Sequence, residues 1–430
     1  MNVVTDLERL YRDKQAVIGV VGMGYVGMPL ALTASAAGFR VVGFDIDPQR
    51  VADIAAGRSY IKHIAATDVA AAVKASRLRA TTSFAEARDV DAIVICVPTP
   101  LTANREPDLT PLLACAEALG ALVAPGQLVV VESTTYPGTT RERVAPLLEA
   151  GGLRAGVDFN LAFSPERVDP GRTDYTLANT PKVVGGLTQE CGDRAEELYR
   201  LVCEQIVRVS TPEVAELTKL LENIFRAVNI ALVNELAMLT DRMDIDIWEV
   251  IAAASTKPYG FMRFEPGPGM GGHCLPVDPF YLSWRAREFD MATEFIELAG
   301  KINQQMPYHC VAKLQRTLND RSRAVRGSRI AVLGVSYKPN VGDIRESPAL
   351  KILELLGELG AEAVYHDPYV PELPGLGLSS ASLEDALDGA DLVLIVTAHA
   401  GIDYDAIVER AQCVLDLRGV TDRDAAAVRL

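Results

Sequence analysis

The chain has 430 residues, 49% of them apolar, and a formal net charge of −15. That length and composition make two or three domains with ample core, and the acidic balance argues against nucleic acid or an anionic membrane surface as the main partner. Seven scattered cysteines suit reduced thiols better than disulfides, no run has the length of a membrane span, and residues 1–14 are charged where a signal peptide is apolar, so a cytoplasmic protein is expected.

Residues Ala16 to Val21 form an apolar run that leads into Gly22-Met23-Gly24-Tyr25-Val26-Gly27 and a helical pattern from Met28 to Ala37. A second strand, Arg40 to Phe44, ends at Asp45. Strand, glycine loop, helix and carboxylate in this order predict a dinucleotide-binding unit whose loop, Tyr25 and Val26 included, lines the cofactor. Gly22 permits the turn, Gly24 lets backbone approach a pyrophosphate, and Gly27 lets the helix pack on the sheet. Asp45 should accept hydrogen bonds from the adenosine ribose and repel a 2′-phosphate, which favours NAD over NADP.

Ala92 to Val97 ends in Pro98-Thr99-Pro100, and Leu128 to Val131 ends in Glu132-Ser133-Thr134-Thr135-Tyr136-Pro137. Ligands of open parallel sheets bind beyond the carboxyl ends of the strands, which puts Pro98, Thr99 and Thr135 at cofactor or substrate; ordinary turn capping would use the two threonines equally well. Phe159 to Phe163 runs into Ser164-Pro165-Glu166-Arg167, and Glu166 is a plausible base. From Thr211-Pro212-Glu213 a helix of roughly 30 residues is predicted, joining the halves as a spine. Lys219 and Asn223 share one face of it, as either a functional pair or its wet side.

The segment Gly267-Pro268-Gly269-Met270-Gly271-Gly272-His273-Cys274-Leu275-Pro276-Val277-Asp278-Pro279 presents a thiol in a glycine-rich loop, with a carboxylate four residues later. Packing requires no such arrangement, so Cys274 reads as a nucleophile. Cys96 and Cys413 lie in strand-like runs and Cys115, Cys203 and Cys310 in helix-like segments, where thiols pack as small hydrophobes. His273 is either a base or a loop residue bonded to backbone. None of the five histidines pairs at ligand spacing, and no metal is expected. The last third repeats the design of the first: strands Arg329 to Val335, Glu362 to His366 and Asp391 to Thr397, with a helix from Ser347 to Leu359. Phe44-Asp45 is echoed by His366-Asp367, and Ser83-Phe84-Ala85-Glu86 by Ser382-Leu383-Glu384-Asp385. Here Gly334 stands alone and Tyr337-Lys338-Pro339 comes after it, so a second nucleotide-type domain takes another ligand; Lys338 and Arg345 either meet phosphates or are solvated.

Together these residues resemble the nucleotide-sugar 6-dehydrogenases, the UDP-glucose and GDP-mannose dehydrogenase family, across nearly the whole chain. The resemblance implies an α/β fold of two Rossmann-like doubly wound parallel-sheet domains joined by a central helical domain: an NAD domain over 1–210, a helical dimerisation domain over 211–322 and a UDP-sugar domain over 323–430. It implies a four-electron oxidation of the sugar C6 alcohol to a carboxylate with two NAD⁺ reduced, through a thiohemiacetal and a thioester on Cys274. Lys219 and Asn223 would stabilise the oxyanion, Asp278 and Thr135 order a water, and Glu166 assist thioester hydrolysis. Lys257, Tyr259, Gly271 and Lys338 join Glu166, Lys219 and Asn223 as substrate contacts, and Arg345 joins the cofactor contacts. The partner implied is a small UDP-sugar, and the assembly a homodimer or higher homo-oligomer through the central helix. The stretch from Gly272 to Trp284 resembles the UDP-N-acetylglucosamine branch; the N-acetylmannosamine and UDP-glucose branches are the alternatives within the family. Outside it stand a two-electron hydroxyacid-type dehydrogenase, which needs no thiol, and a non-catalytic nucleotide-sugar sensor.

Overall fold

The short apolar runs form the strands of two sheets in the computed structural model, which describes residues 7–61, 64–102, 104–168, 174–272 and 275–430. Residues up to 222 together with 287–289 make one unit, and 223–286 with 290–430 make the other.

In the first unit, strands β1 (Val17–Val21), β2 (Arg40–Phe44), β3 (Leu78–Thr81), β4 (Ala92–Ile95), β5 (Leu128–Val131), β6 (Asn160–Phe163), β7 (Lys182–Gly186) and β8 (Ile206–Val209) form one sheet. Its order is β3-β2-β1-β4-β5-β6-β7-β8, parallel except for the antiparallel β6–β7 pair. The first six strands have the dinucleotide-fold order, in which the order of the strands switches between β1 and β4. β4 and β5 are buried along their whole length, as expected for near-continuous apolar strands covered on both faces.

The helix Pro212–Met243 runs 32 residues, about 48 Å at 1.5 Å per residue. Pro212 has no N–H to leave unpaired at the first position, and the Thr211 hydroxyl accepts from the Val214 N–H at 3.4 Å. The second unit begins within this helix at Asn223 and continues with helices Ile247–Ala254, Asp278–Ala286 and Glu294–Asn319. Its strands are β9 (Arg329–Leu333), β10 (Glu362–His366), the hairpin β11 (Glu372–Leu373) and β12 (Leu378–Ser379), then β13 (Leu392–Ile395), β14 (Val414–Asp416) and β15 (Val428–Arg429). The main sheet is all parallel, ordered β10-β9-β13-β14-β15. Met306, Cys310, Leu314 and Leu318 of helix Glu294–Asn319 pack on one of its faces.

Two parallel-sheet domains and a helical segment with a long spine are therefore the architecture expected. Several details differ. Strands β4 and β13 end at Ile95 and Ile395, two residues early, and β9 stops at Leu333, where past Gly334 the N–H groups of Val335 and Ser336 turn away to the Asp367 carboxylate. Cys203 lies in the turn after helix Gln189–Tyr199, its N–H bonded to the Tyr199 carbonyl at 2.8 Å, and not in a helix. No helix among the described residues is long and apolar enough to cross a membrane.

Candidate active site

The three glycines after β1 have three different surroundings. Gly22 has φ +90°, and a β-carbon on it would lie 2.7 Å from the Cys96 carbonyl oxygen. On Gly27 it would lie 2.0 Å from the Gly22 carbonyl, whereas around Gly24 nothing stands within 4 Å. Turn, close packing and open approach thus fall on Gly22, Gly27 and Gly24 in the roles their spacing assigns. Helix Gly27–Ala36 begins at the last glycine with no side-chain cap; the Met28 and Leu30 N–H groups bond to the Gly24 and Val26 carbonyls at 3.1 and 3.3 Å, and the positive end of the helix faces the loop. Asp45 lies just past β2: one carboxylate oxygen accepts from the Met23 N–H at 2.9 Å, the other from the Asp47 N–H at 3.0 Å, and Arg50 stands 3.3 Å away. Tyr60, which the motif does not mark, donates its hydroxyl to the Met23 carbonyl and so holds the same loop. An open Gly24, a helix N-terminus without a side-chain cap and a carboxylate just past β2 fit a dinucleotide. Tyr25 is half exposed beside them, and Thr99 is buried past β4.

The ends of β4 and β5 are tied together where the Ser133 hydroxyl donates to the Val97 carbonyl at 2.7 Å. Thr135 is buried and donates to Glu216 Oε1 at 3.2 Å. Glu216 also accepts from the Gly138 N–H, the Thr140 N–H and the Thr140 hydroxyl at 2.7, 2.9 and 2.7 Å. Burial nevertheless pushes its carboxyl up to about 7 against those hydrogen bonds. Lys219, one turn further along the helix, donates to the Thr134 hydroxyl at 2.6 Å and is itself buried. Glu166 Oε1 accepts from the N–H groups of Arg167 and Val168 at 2.8 and 2.6 Å, and its other oxygen lies 3.5 Å from Lys182 Nζ. Lys182 is buried with Glu132 at 2.9 Å, and Tyr199 donates to that same Glu132. Burial opposes charge on this ammonium, but the two carboxylates more than offset it and hold its pKa above the usual lysine range. Glu132, Lys182, Thr134 and Glu216 escape a reading of the sequence because each sits in an ordinary strand, turn or helix pattern; only their spatial convergence marks them.

In the second unit Asn223 donates from its amide to Asp278 Oδ2 at 2.6 Å. Asp278 opens helix Asp278–Ala286 and is almost wholly buried, at a helix end that favours a carboxylate. His273 and Cys274 lie outside the described residues, but the loop before them does not. The Gly267 N–H donates to Asn234 Oδ1 at 2.9 Å, Asn234 donates to Asn303 Oδ1 at 2.8 Å, and Asn303 donates to the Ala227 carbonyl at 3.1 Å. Two buried amides, also unmarked by any motif, therefore seat the loop on two helices. Gly271 and Gly272 pack against Tyr337, where the sequence suggested only approach to a ligand. Lys338 has its ammonium 5.9 Å from the Tyr337 ring centroid, and Lys257 lies 5.1 Å from that of the exposed Tyr259. Arg345 forks onto Asp343 at 2.7 and 3.0 Å. The described cysteines are all buried, and burial raises the thiols of Cys96, Cys115, Cys203, Cys310 and Cys413, which disfavours thiolate chemistry there.

A glycine cradle at the first strand end, on a chain that carries a second sheet of kindred topology, defines a dinucleotide-dependent α/β oxidoreductase. Family models narrow this: the NAD binding domain of the UDP-glucose/GDP-mannose dehydrogenase family matches residues 16–203, its central domain 213–305 and its UDP binding domain 331–423. The chain is 34% identical over 430 residues to a UDP-N-acetyl-D-glucosamine 6-dehydrogenase of Pseudomonas aeruginosa, covering 97% of this chain and all of that one. It is 36% identical to a UDP-N-acetyl-D-mannosamine dehydrogenase of Pyrococcus horikoshii, covering 94% and 95%. A solved structure of a UDP-D-ManNAc dehydrogenase from Pyrococcus horikoshii superposes with a TM-score of 0.88 at 34% identity, covering 96% and 98%. This protein belongs to the UDP-glucose/GDP-mannose dehydrogenase family and is an NAD-dependent nucleotide-sugar oxidoreductase.

Proposed function

We propose that this chain oxidises the C6 alcohol of a UDP-N-acetylhexosamine to the carboxylate in two steps, the first giving the aldehyde and the second running on the thiol of Cys274. The manno epimer leads, because the Pyrococcus horikoshii relative and the solved structure that superposes on this chain are both named for it. The gluco epimer is the second reading, supported by the Pseudomonas aeruginosa relative and by the residues from Gly272 to Trp284. In either case NAD supplies the two-electron acceptor for each oxidation. The observation that carries the reading is the 2.6 Å bond between Asn223 and Asp278, which joins a helix position one turn past Lys219 to the carboxylate four residues after Cys274.

Each group then has a task its chemistry suits. Lys219 and Asn223 donate to the oxygen that gains negative charge. Asp278, held by Asn223, and Thr135, held by Glu216, order the water that moves the proton. Cys274 adds to the aldehyde carbon, and the resulting thiohemiacetal is oxidised to a thioester. Water attacks that thioester with Glu166 as base, releasing the acid and restoring the thiol. Lys338 takes the diphosphate, with Lys257, Tyr259 and Gly271 as further substrate contacts, and Arg345 serves the cofactor. The division of labour is an NAD domain over 1–210, a helical domain over 211–322 and a UDP-sugar domain over 323–430.

The working form is a homodimer. Val214, Leu217, Leu221, Phe225, Leu232, Leu236, Leu239 and Met243 are all exposed and recur at spacings of three, four and seven along the long helix, an apolar stripe of the kind that pairs helices. Leu221→Glu with Leu232→Glu should give a monomer in sedimentation velocity; an unchanged sedimentation coefficient removes this stripe as the interface.

Two measurements test the chemistry. Each sugar consumed should yield two NADH, and a ratio near one excludes the four-electron route. Cys274→Ala should form no acid while still binding UDP, and kcat/KM across the gluco, manno and galacto N-acetyl epimers and UDP-glucose ranks the substrates. A buried partner left without its acetamido group costs about 1–3 kcal/mol, so UDP-glucose should come last.

A further inference from the structure

The glycines that precede Cys274 rest on the domain that carries Lys338. A β-carbon on Gly272 would lie 2.9 Å from the Tyr337 ring, and one on Gly271 would lie 2.6 Å from Tyr337 Cβ and 2.9 Å from the Glu346 carbonyl oxygen. The Gly272 N–H donates to the Arg345 carbonyl at 2.9 Å. Both residues must therefore be glycine for the loop to lie flat on the segment from Tyr337 to Glu346. Tyr337 also meets the Lys338 ammonium, 5.9 Å from its ring centroid, within reach of a cation–π attraction. One aromatic ring touches the approach to the thiol and the lysine assigned to the diphosphate.

The far side of this segment is anchored. Thr397 donates its hydroxyl to the Ser336 carbonyl at 2.6 Å, the Asn340 N–H donates to His399 Nδ1 at 2.9 Å, and the Ala400 N–H donates to Asn340 Oδ1 at 2.9 Å. His399 is fixed in turn by Asp367 at 3.0 Å, with neither side chain exposed. A backbone clamped at Ser336 and Asn340 has little freedom to yield between them. A phosphate that draws the Lys338 ammonium off the ring changes what Tyr337 presses against, and the same side chain lies against the Gly271–Gly272 backbone.

We propose that Tyr337 is a positioning residue that couples nucleotide binding to the reactivity of Cys274. The coupling rests on the function proposed for this chain, in which Lys338 binds the UDP diphosphate and Cys274 is the nucleophile. Its physical basis is differential contact, since the bound and free states give Tyr337 different partners. A substrate with the right nucleotide then readies the thiol before the sugar reacts.

UDP itself is the probe, because it lacks the sugar and does not occupy the C6 position. With full-length enzyme, UDP affinity is measured by calorimetry and Cys274 alkylation by iodoacetamide is tracked by peptide mass spectrometry, which separates it from the buried cysteines. Saturating UDP should change the wild-type alkylation rate by at least about fivefold. Tyr337→Leu should still bind UDP through Lys338 yet lose that response, and Tyr337→Phe, which keeps the ring, should retain it. A wild-type enzyme that binds UDP with no change in alkylation overturns the coupling and leaves the proposed function standing, whether or not the leucine variant folds. A leucine variant that responds like wild type, or a phenylalanine variant that responds no better than leucine, overturns the role of the ring. If wild-type enzyme does not bind UDP, the nucleotide-sugar reading falls and takes the coupling with it.

Discussion

The two sheets solve the same turn with the same parts and then diverge. Gly22 comes directly after β1 with φ +90° and donates its N–H to the Phe44 carbonyl at 2.8 Å; Gly334 comes directly after β9 with φ +77° and donates to the His366 carbonyl at 2.9 Å. Each has a backbone carbonyl where a side chain would go, that of Cys96 at 2.7 Å and that of Thr397 at 2.1 Å. A carboxylate closes each turn: Asp45 accepts from the Met23 N–H at 2.9 Å and Asp367 from the Val335 N–H at 2.7 Å. Past that point, the first sheet enters its helix at Gly27, and the second inserts the segment from Val335 to Ser347 before helix Pro348–Glu358. The first connection is a short run of glycine-rich backbone, and the second carries Tyr337, Lys338 and Arg345. The carboxylates part company too. Asp45 accepts from two N–H groups and from Arg50, while Asp367 takes the N–H groups of Val335, Ser336, Tyr369 and Val370 and His399 as well. A shared turn thus fixes the backbone, and the two domains differ in what lies between that turn and the next helix.

The shared turn is broken most severely at Asp367. Asp367→Asn leaves His399 and buried N–H groups facing a poorer partner and should cost about 3–5 kcal/mol in denaturant unfolding. Burial alone would raise this carboxyl, but His399 and the N–H groups of Val335 and Tyr369 carry it below its ordinary value. Its stabilisation is therefore present above the unfolded pKa of about 4 and lost as pH falls through the lower folded value, so the deficit of the variant should shrink in acid. A deficit constant from neutral pH into acid contradicts that assignment.

Gly22→Ala and Gly334→Ala should each destabilise by about 1–3 kcal/mol or more, through positive φ and a carbonyl in the way. Gly24→Ala meets nothing within 4 Å and should melt like wild type while weakening NAD binding. Equal melting losses at all three positions would contradict the open space at Gly24, and unchanged NAD binding by Gly24→Ala would remove it from the cofactor contacts.

Glu216 should titrate with the opposite sign to Asp367. With a folded value of about 7, its contribution is fully present below the unfolded carboxyl pKa and is lost as pH rises through 7. Glu216→Gln should cost about 1–3 kcal/mol, because an amide N–H then faces the Gly138 N–H, and should remove that slope. Melting curves of both proteins from pH 5 to about 8 make the check.

The mildest change is at Asp45. Asp45→Ala removes a repulsive charge and leaves Arg50 without the carboxylate 3.3 Å away, so the ratio of NADP to NAD efficiency should rise about tenfold, or about 1.4 kcal/mol. An unchanged ratio would show that discrimination lies elsewhere in the loop.

By itself the sequence determined the features that are local and periodic. The glycine turn before helix Gly27–Ala36, the acidic residue after β2, the spine helix from Pro212 and the repeat of strand, turn and carboxylate at β9 and β10 were legible because backbone sterics and burial periodicity act over a few residues. The unusual backbone before Cys274 was legible for the same reason: among its clustered glycines, Gly269 and Gly272 have positive φ. Tertiary structure alone decided which side chains meet. Glu216 joins Thr135 and Thr140, Lys182 joins Glu132 and Glu166, and Asn234 with Asn303 seats Gly267. Each pairing joins residues well apart in the chain, and nothing in the local pattern of either partner names the other. The reason Gly271 and Gly272 carry no side chain belongs here as well: Gly272 meets the ring of Tyr337 and Gly271 its β-carbon and the Glu346 carbonyl, more than 60 residues further along the chain. Folding brings such groups together because burying an ion or an amide requires a partner, and that requirement is satisfied in space without leaving a periodic mark in the sequence.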